Sequence, residues 1–372
     1  MLDVIVVGAG AAGASAAYHL AARGQRVLIL EAQAMPRSKH CGGGMAASVQ
    51  HWFPFDLTPA VDQVIEQVRF TWCLEDPVTA VLPGDSPFWI VRRSRLDQFI
   101  SEQAVAAGAE LLDGCPVSAI QRDGDHWVVE AGSDRYAARA VVVADGSQSR
   151  FAAELGLGNP RPRFASAVAV EVDAAVREPN TAHFEFGLVR HGFCWAFPRQ
   201  GGYSIGVGSF IGKDDVDADT VLAQLLPSLG LAPDAGVPVR SPLRVWDGHH
   251  ALHRPDGAVA VGDAASLCDP FLAEGLRPAL LSGVRAAEAL DRWLTSGEPL
   301  AGYSQAMRRE WGESMAWGRR IAQVFYRVPK VGYQLGIKRP TAPQRIAQIL
   351  SGEMGYGDIA QRVIKRLLFQ RG

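Results

Sequence analysis

Two kinds of hydrophobic pattern alternate along the 372-residue chain. Short unbroken apolar runs occur at Val4–Val7, in RVLIL (26–30), in AVVVA (140–144) and in GAVAV (257–261). Runs of this length bounded by turn residues predict strands buried on both faces, as in a parallel sheet. Between the first two, an Ala-rich stretch predicts a helix to Arg23, with Gly24 as its C′ residue. Apolar and polar residues instead alternate at 166–172 and in HFEFGLV (183–189). GFCWAFP (192–198) and GYSIGVG (202–208) follow as a further strand pair. Helices are predicted from RSRLDQFISEQAVAAGA, which begins at Arg93, and near Glu274-Gly275. The last stretch, DIAQRVIKRLLFQRG, reads as an amphipathic helix with a basic face.

The pattern predicts an α/β chain in three parts. A discontinuous lobe takes residues 1–65, 92–160 and 251–295. A mixed β-sheet lobe takes 66–91 and 161–250. The region 296–372 is helical, broken at Pro329, Pro340 and Pro343. A ligand is expected between the lobes.

Composition narrows the function classes. Hydrophobic residues make up 48% and charged residues 20%, with a net charge of −2. That is ordinary globular chemistry with no global field towards nucleic acid. Five cysteines, at 41, 73, 115, 194 and 268, form no CxxC pair. The odd count argues against a disulfide framework and against a zinc site, and predicts a reducing, cytoplasmic setting. No signal peptide and no spanning helix are expected. Residues 330–372 hold eight basic and two acidic side chains, a local +6 against −8 elsewhere. The final helix is therefore a candidate for peripheral membrane contact, beside the plainer reading of a solvated helix docked on the body. A monomer is expected.

The first strand ends in Gly8-x-Gly10-x-x-Gly13, and the second ends at Glu31. Together they form a dinucleotide-binding βαβ unit. Gly8 permits the tight turn, Gly10 lets backbone approach a pyrophosphate, and Gly13 lets helix pack on strand. The helix N-terminus offers free N–H groups to phosphates. Glu31 suits ribose hydroxyls and repels a 2′-phosphate. Ala12 and Ala32 join the candidate contacts. Two further stretches favour FAD over NAD. One is the strand breaking into Asp145-Gly146; the other is GDAASLCDPFLAEGL, residues 262–276. Asp263 can reach a ribityl hydroxyl or, through backbone, the pyrophosphate. The helix beginning at Gly275 and Leu276, after Pro270, can aim N–H groups at the flavin.

These motifs, with Arg93-Ser-Arg-Leu-Asp97, resemble the FAD-dependent group that includes aromatic hydroxylases, flavin halogenases and geranylgeranyl reductases. The resemblance implies a FAD-binding Rossmann-like lobe, an inserted mixed β-sheet substrate lobe and a helical C-terminal segment. It also implies that Arg93 and Asp263 contact the cofactor. Three features are similar to the geranylgeranyl reductase branch: PRSKHCGGGM after the ribose-binding strand, GFCWAFP with GYSIGVG, and QILSGEMGYGDI (348–359). The branch usually has a glycine where this chain has Ala273. Residues 40–200 contain no lysine, which argues against halogenation.

The resemblance implies reduction of carbon-carbon double bonds in a geranylgeranyl-type lipid or diphosphate. Lys39 and Gly42–Gly44 (Gly42, Gly43, Gly44) are then expected at the flavin. Trp195 and Phe197 are expected on the substrate. Cys41 and Tyr203 are the candidate catalytic proton sources. NADPH or ferredoxin is the expected electron donor. The alternatives are a FAD-dependent aromatic monooxygenase and a non-catalytic prenyl-lipid binding protein.

Overall fold

The computed structural model describes residues 1–84, 87–210, 217–339 and 341–369, with side chains described up to Arg362. Leu2–Val7 runs parallel to Val27–Leu30 on one side and to the second half of Asp134–Val143 on the other. Glu110–Leu112 extends this sheet beyond Val27–Leu30. The strand Asp134–Val143 has two further partners. Its last three residues run parallel to Ala258–Ala260, while its first half pairs antiparallel with His126–Ala131. The central runs Val4–Val7, Val27–Leu30 and Ala140–Val143 are apolar because helices cover them. Every residue of the helix Ala11–Ala21 except Tyr18 is buried. Its small side chains let Leu276–Ser296 approach closely: a Cβ on Gly283 would lie 2.5 Å from the Ala12 carbonyl.

A second sheet has the order 239–245, 163–173, 202–209, 192–199, 181–186, 67–72, 75–81. Its neighbours are antiparallel except Thr181–Phe186 beside Gln67–Trp72. Period-two alternation sorts its side chains. Phe70, Phe184, Phe193, Trp195 and Phe197 belong to the main core, with Ala167 and Ala169. Val168, Val170, Cys194, Ala196, Tyr203, Ile205 and Val207 form a separate cluster under the helix Ala218–Ser228.

Gly44–Ala46, Phe88–Val91 and Val61–Ile65 make a small third sheet. This corrects the expectation that 66–91 acts as one piece of the larger sheet. Phe88–Val91 pairs with 44–46 and 61–65, because its fully apolar strand is buried on both sides.

The C-terminal region is helical through Tyr356–Phe369. Pro329 and Pro343 sit in the first turns of their helices, where proline's missing N–H costs nothing. Pro340 lies outside the described residues. Tyrosine hydroxyls tie these helices to the sheets and to the turn at Phe271. Tyr303 donates to the Ala260 carbonyl and Tyr326 to that of Phe271. Tyr333 donates to the Phe70 and Asp76 carbonyls. No helix among the described residues is long and apolar enough to cross a membrane. The basic side chains of the last helix beyond Arg362 lie outside the described residues.

Candidate functional site

A cavity of about 350 Å³ opens between the first sheet and the aromatic face of the second. Its polar end is the turn after the first strand. Gly8 has φ +105°, and a Cβ there would lie 2.5 Å from the Ala144 carbonyl. A Cβ on Gly13 would lie 1.9 Å from the Gly8 carbonyl. Both positions therefore demand glycine. Gly10 faces guanidinium groups: a Cβ there would lie 3.3 Å from Arg37 and 3.6 Å from Arg93.

Those cations are held by a buried chain of charges. Arg93 donates to both Asp97 oxygens, at 2.9 and 2.7 Å. Arg37 bridges Asp97 and Glu31, each at 3.2 Å. Burial works against the Arg93 charge, but the adjacent Asp97 carboxylate outweighs it and raises its pKa. Glu31 accepts from the Ala9 N–H at 2.7 Å and from Gln33 N–H at 3.1 Å. Arg93 is thus a buried group at the cavity rather than a surface residue at a helix start. Arg37 was not expected from sequence. Its signal is only that it follows Glu31 by six positions, close enough for the loop to fold back.

The loop Lys39–Gly44 forms one wall. Lys39 Nζ lies 3.3 Å from Asp263 Oδ2. Half-buried Cys41 lines the cavity; its Sγ accepts from the Gly43 N–H and its carbonyl from Ser204. The glycines answer mainly to protein neighbours. Gly43 has φ +76°, and a Cβ there would lie 2.2 Å from the Val91 carbonyl. One on Gly44 would lie 2.6 Å from the Phe88 ring. Gly42 faces Phe197 and the Trp195 indole nitrogen. That nitrogen is buried without a hydrogen-bond partner among the described residues.

The opposite wall is Leu272–Leu276. Asp269 shapes it. Its Oδ1 accepts from the Phe271 and Leu272 N–H groups, and its Oδ2 from Tyr356 at 2.6 Å. Ala273 holds φ +59°, the left-handed region that favours glycine. Glu274 is buried and lines the cavity. Its Oε2 accepts from Arg277 at 2.6 Å, while Oε1 has no partner among the described residues. Burial is the largest cause raising its pKa to about 6, with Arg277 opposing and Asp269 adding to the rise.

Of the expected cofactor residues, Gly10, Ala12, Lys39, Gly42, Gly43, Gly44, Arg93, Gly146, Asp263, Gly275 and Leu276 line the cavity. Gly8, Gly13, Glu31, Ala32, Asp145 and Pro270 lie outside the lining. Ala32 is exposed and Pro270 buried. Asp145 has a buried Oδ1 without a partner among the described residues, and burial raises its pKa. Trp195 and Phe197 line the apolar end, as do Phe184, Phe193 and Phe210.

Tyr203 is a correction. It pairs with Pro198 and packs in the cluster beneath Ala218–Ser228. Its hydroxyl accepts from the Arg177 N–H at 3.0 Å. The strand period of two turns it away from the cavity, so it is not a proton source there.

The residues present fit an FAD. Bare backbone and two guanidinium groups could take its pyrophosphate, Glu31 its ribose, and the slot between Gly42–Gly44 and Leu272–Gly275 its ring. The family model described as FAD dependent oxidoreductase matches residues 3–75 and 78–293. A digeranylgeranylglycerophospholipid reductase of Methanothermobacter thermautotrophicus is 30% identical over 349 residues, covering 87% of each chain. A menaquinone reductase of Mycobacterium tuberculosis is 31% identical, covering 78% of this chain and 76% of that one. A solved structure described as geranylgeranyl bacteriochlorophyll reductase-like, from Thermoplasma acidophilum, superposes with TM-score 0.84 at 19% identity over 98% of each chain. That likeness carries the fold alone. The chain belongs to the FAD dependent oxidoreductase family, beside relatives named digeranylgeranylglycerophospholipid reductases, and its cofactor is FAD.

Proposed function

We propose that this flavoenzyme reduces carbon-carbon double bonds in the polyprenyl chain of a geranylgeranyl-type lipid. The observation that carries the reading is the continuity of one cavity. It runs from the Gly10 turn and Arg93 to a wall of Phe184, Phe193, Trp195, Phe197 and Phe210. An isolated alkene offers no polar handle, so the enzyme must work by position and by excluding water. When bound and reduced, FAD supplies a hydride to one alkene carbon. Arg37 and Arg93 hold the phosphates, and Asp97 keeps both cations aimed. Lys39, paired with Asp263, offers a positive charge near the ring. The aromatic wall holds the chain and keeps the site dry, while Cys41 forms part of the surface the alkene meets.

Names among the relatives support two acceptor classes. One is a digeranylgeranyl lipid; the other is a quinone carrying a polyprenyl chain. NADPH or ferredoxin as electron donor, and peripheral contact with a lipid surface, belong to the same proposal. The test is to incubate the reduced protein with each acceptor and follow it by mass spectrometry. The expected result is a gain of H2 per reduced bond in at least one. NADPH consumption with peroxide release, stimulated by a phenol, would favour the aromatic monooxygenase instead. Tight prenyl-lipid binding with no mass change would favour a carrier.

A further inference from the structure

Val324, Val328, Val331 and Leu335 are between 48% and 69% exposed, all within one stretch of the helical C-terminal region. Exposed apolar residues scattered singly need no explanation, whereas a cluster of them does. We propose that this cluster is a docking surface for an anionic lipid bilayer. The inference takes the lipid nature of the cargo from the reductase reading above, but its test does not depend on catalysis.

Local sequence builds the surface. The helix Glu313–Arg327 runs into Pro329–Gly336 with only Val328 between them. Gly332 lets the two helices lie side by side: a Cβ there would lie 2.7 Å from the Phe325 ring. Val328, Val331 and Leu335 recur at i, i+3 and i+7, so they share a face of the second helix. Trp317, Arg320, Val324 and Arg327 keep the same kind of spacing on the first. Arg320 stacks on Trp317, its guanidinium carbon 4.6 Å from the ring centre. Apolar and basic side chains on one exposed helix face, with a Trp among them, are the composition of a helix that lies in a membrane interface.

Charge selects the occupant. Residues 314–352 carry seven Lys or Arg and no Asp or Glu. Arg320, Arg327, Lys330 and Arg339 are exposed and make no ion pair among the described residues. Lys338 is paired with Asp76 at 2.6 Å. A second copy docked through the same face would set these cations against themselves. An anionic leaflet attracts each of them and accepts the valines and leucine between them.

The surface also stands where a lipid acceptor is used. The other face of the helix Glu313–Arg327 is buried. Phe325 packs on Phe186 and Phe271, and Tyr326 on Phe210. Phe210 lines the apolar end of the cavity. One helix, about 10 Å across, therefore has the exposed patch on its outside and the cavity wall on its inside.

The experiment floats the FAD-loaded full chain with phosphatidylcholine vesicles and with vesicles that also contain phosphatidylglycerol. Bound protein is read by flavin absorbance. Wild type is expected to float with the anionic vesicles and not with the neutral ones, and added salt should release it. Arg320→Gln, Arg327→Gln and Lys330→Gln together should lower binding at least about tenfold, and so should Val331→Asp with Leu335→Asp. All five side chains are exposed, so both variants should keep the wild-type flavin spectrum. Their rates on a detergent-dispersed acceptor should match wild type, while their rates on an acceptor embedded in anionic vesicles should fall with binding. Equal flotation with both kinds of vesicle, or with neither, overturns the proposal from wild type alone. Binding that survives either set of substitutions overturns it as well; its disappearance on Lys365→Gln with Arg366→Gln would then assign the contact to the last helix. Self-association that Val331→Asp with Leu335→Asp abolishes would mark an interface between copies and overturn it too. A wild type that binds anionic vesicles as expected yet reduces no polyprenyl acceptor overturns the reductase reading and leaves the docking surface standing.

Discussion

Trp195 occupies the space that a side chain on Gly206 would need: a Cβ there would lie 2.1 Å from indole Cζ2. The two residues are direct partners across neighbouring strands. The glycine is what lets the indole lie in the cavity wall. Gly206→Ala should therefore displace Trp195 and cost about 1–3 kcal/mol through overpacking. Denaturant unfolding should show the loss. FAD should still bind, and the distribution of reduced bonds should change. Unaltered stability with an unaltered product pattern would contradict the relationship.

Ala273 sits at φ +59° in the loop that forms the cavity wall. The left-handed region costs an L-residue about 1–2 kcal/mol, while glycine gives back about 0.5–1 kcal/mol as unfolded-state entropy. Ala273→Gly should raise stability by roughly 0.5 kcal/mol, visible as a small upward shift in the denaturant midpoint. A lowered midpoint would show that the Ala273 methyl packs usefully.

His19 is buried beside Tyr18 and Phe53, and its Nε2 has no partner among the described residues. Burial, aided by Arg23 and Arg285, lowers its pKa to about 4. Below about 6.5 the unfolded chain takes a proton that the folded chain refuses. The stability this neutral His provides is full above that pH and is lost as pH falls towards 4. Wild type should lose stability relative to His19→Leu across that window, by about 1.4 kcal/mol per pH unit. A pH-independent difference between the two proteins would refute the assignment.

Cys41 lines the cavity through a loop whose glycines are pinned by Val91 and Phe88. Removing the thiol leaves that backbone in place. Cys41→Ala should keep FAD bound. It should lower turnover by less than about tenfold, well below the loss of a catalytic acid, or alter which bonds are reduced. Product analysis by mass spectrometry checks this; unchanged turnover with an unchanged product pattern would refute it.

Much of the cofactor end was legible in the chain. Gly8, Gly10, Gly13 and Glu31 lie within two strands and one helix of each other, so their spacing encodes their geometry. The glycine run after Cys41 was legible as special backbone but misread in its cause. Val91 and Phe88, not only a cofactor, exclude side chains there. Two positions apart on one strand, Trp195 and Phe197 share a face, but only the resemblance set them at the substrate. The same reasoning could not place Tyr203, because its face depends on the register with the strand before it. In that register Tyr203 opposes Pro198 and Gly206 opposes Trp195.

By itself the amino-acid sequence determined where backbone must turn, which runs are buried, and which short segments can cradle a dinucleotide. These are properties of neighbouring residues and their allowed dihedral angles. Only the tertiary structure decided which carboxyls are buried. Glu274 is an ordinary acid in the sequence. Burial raises its pKa to about 6 against the opposing pull of Arg277, while Tyr356, 87 positions from Asp269, satisfies the neighbouring carboxyl. Proton affinity depends on solvation and on charges brought together from distant segments, and neither is a local property of the chain.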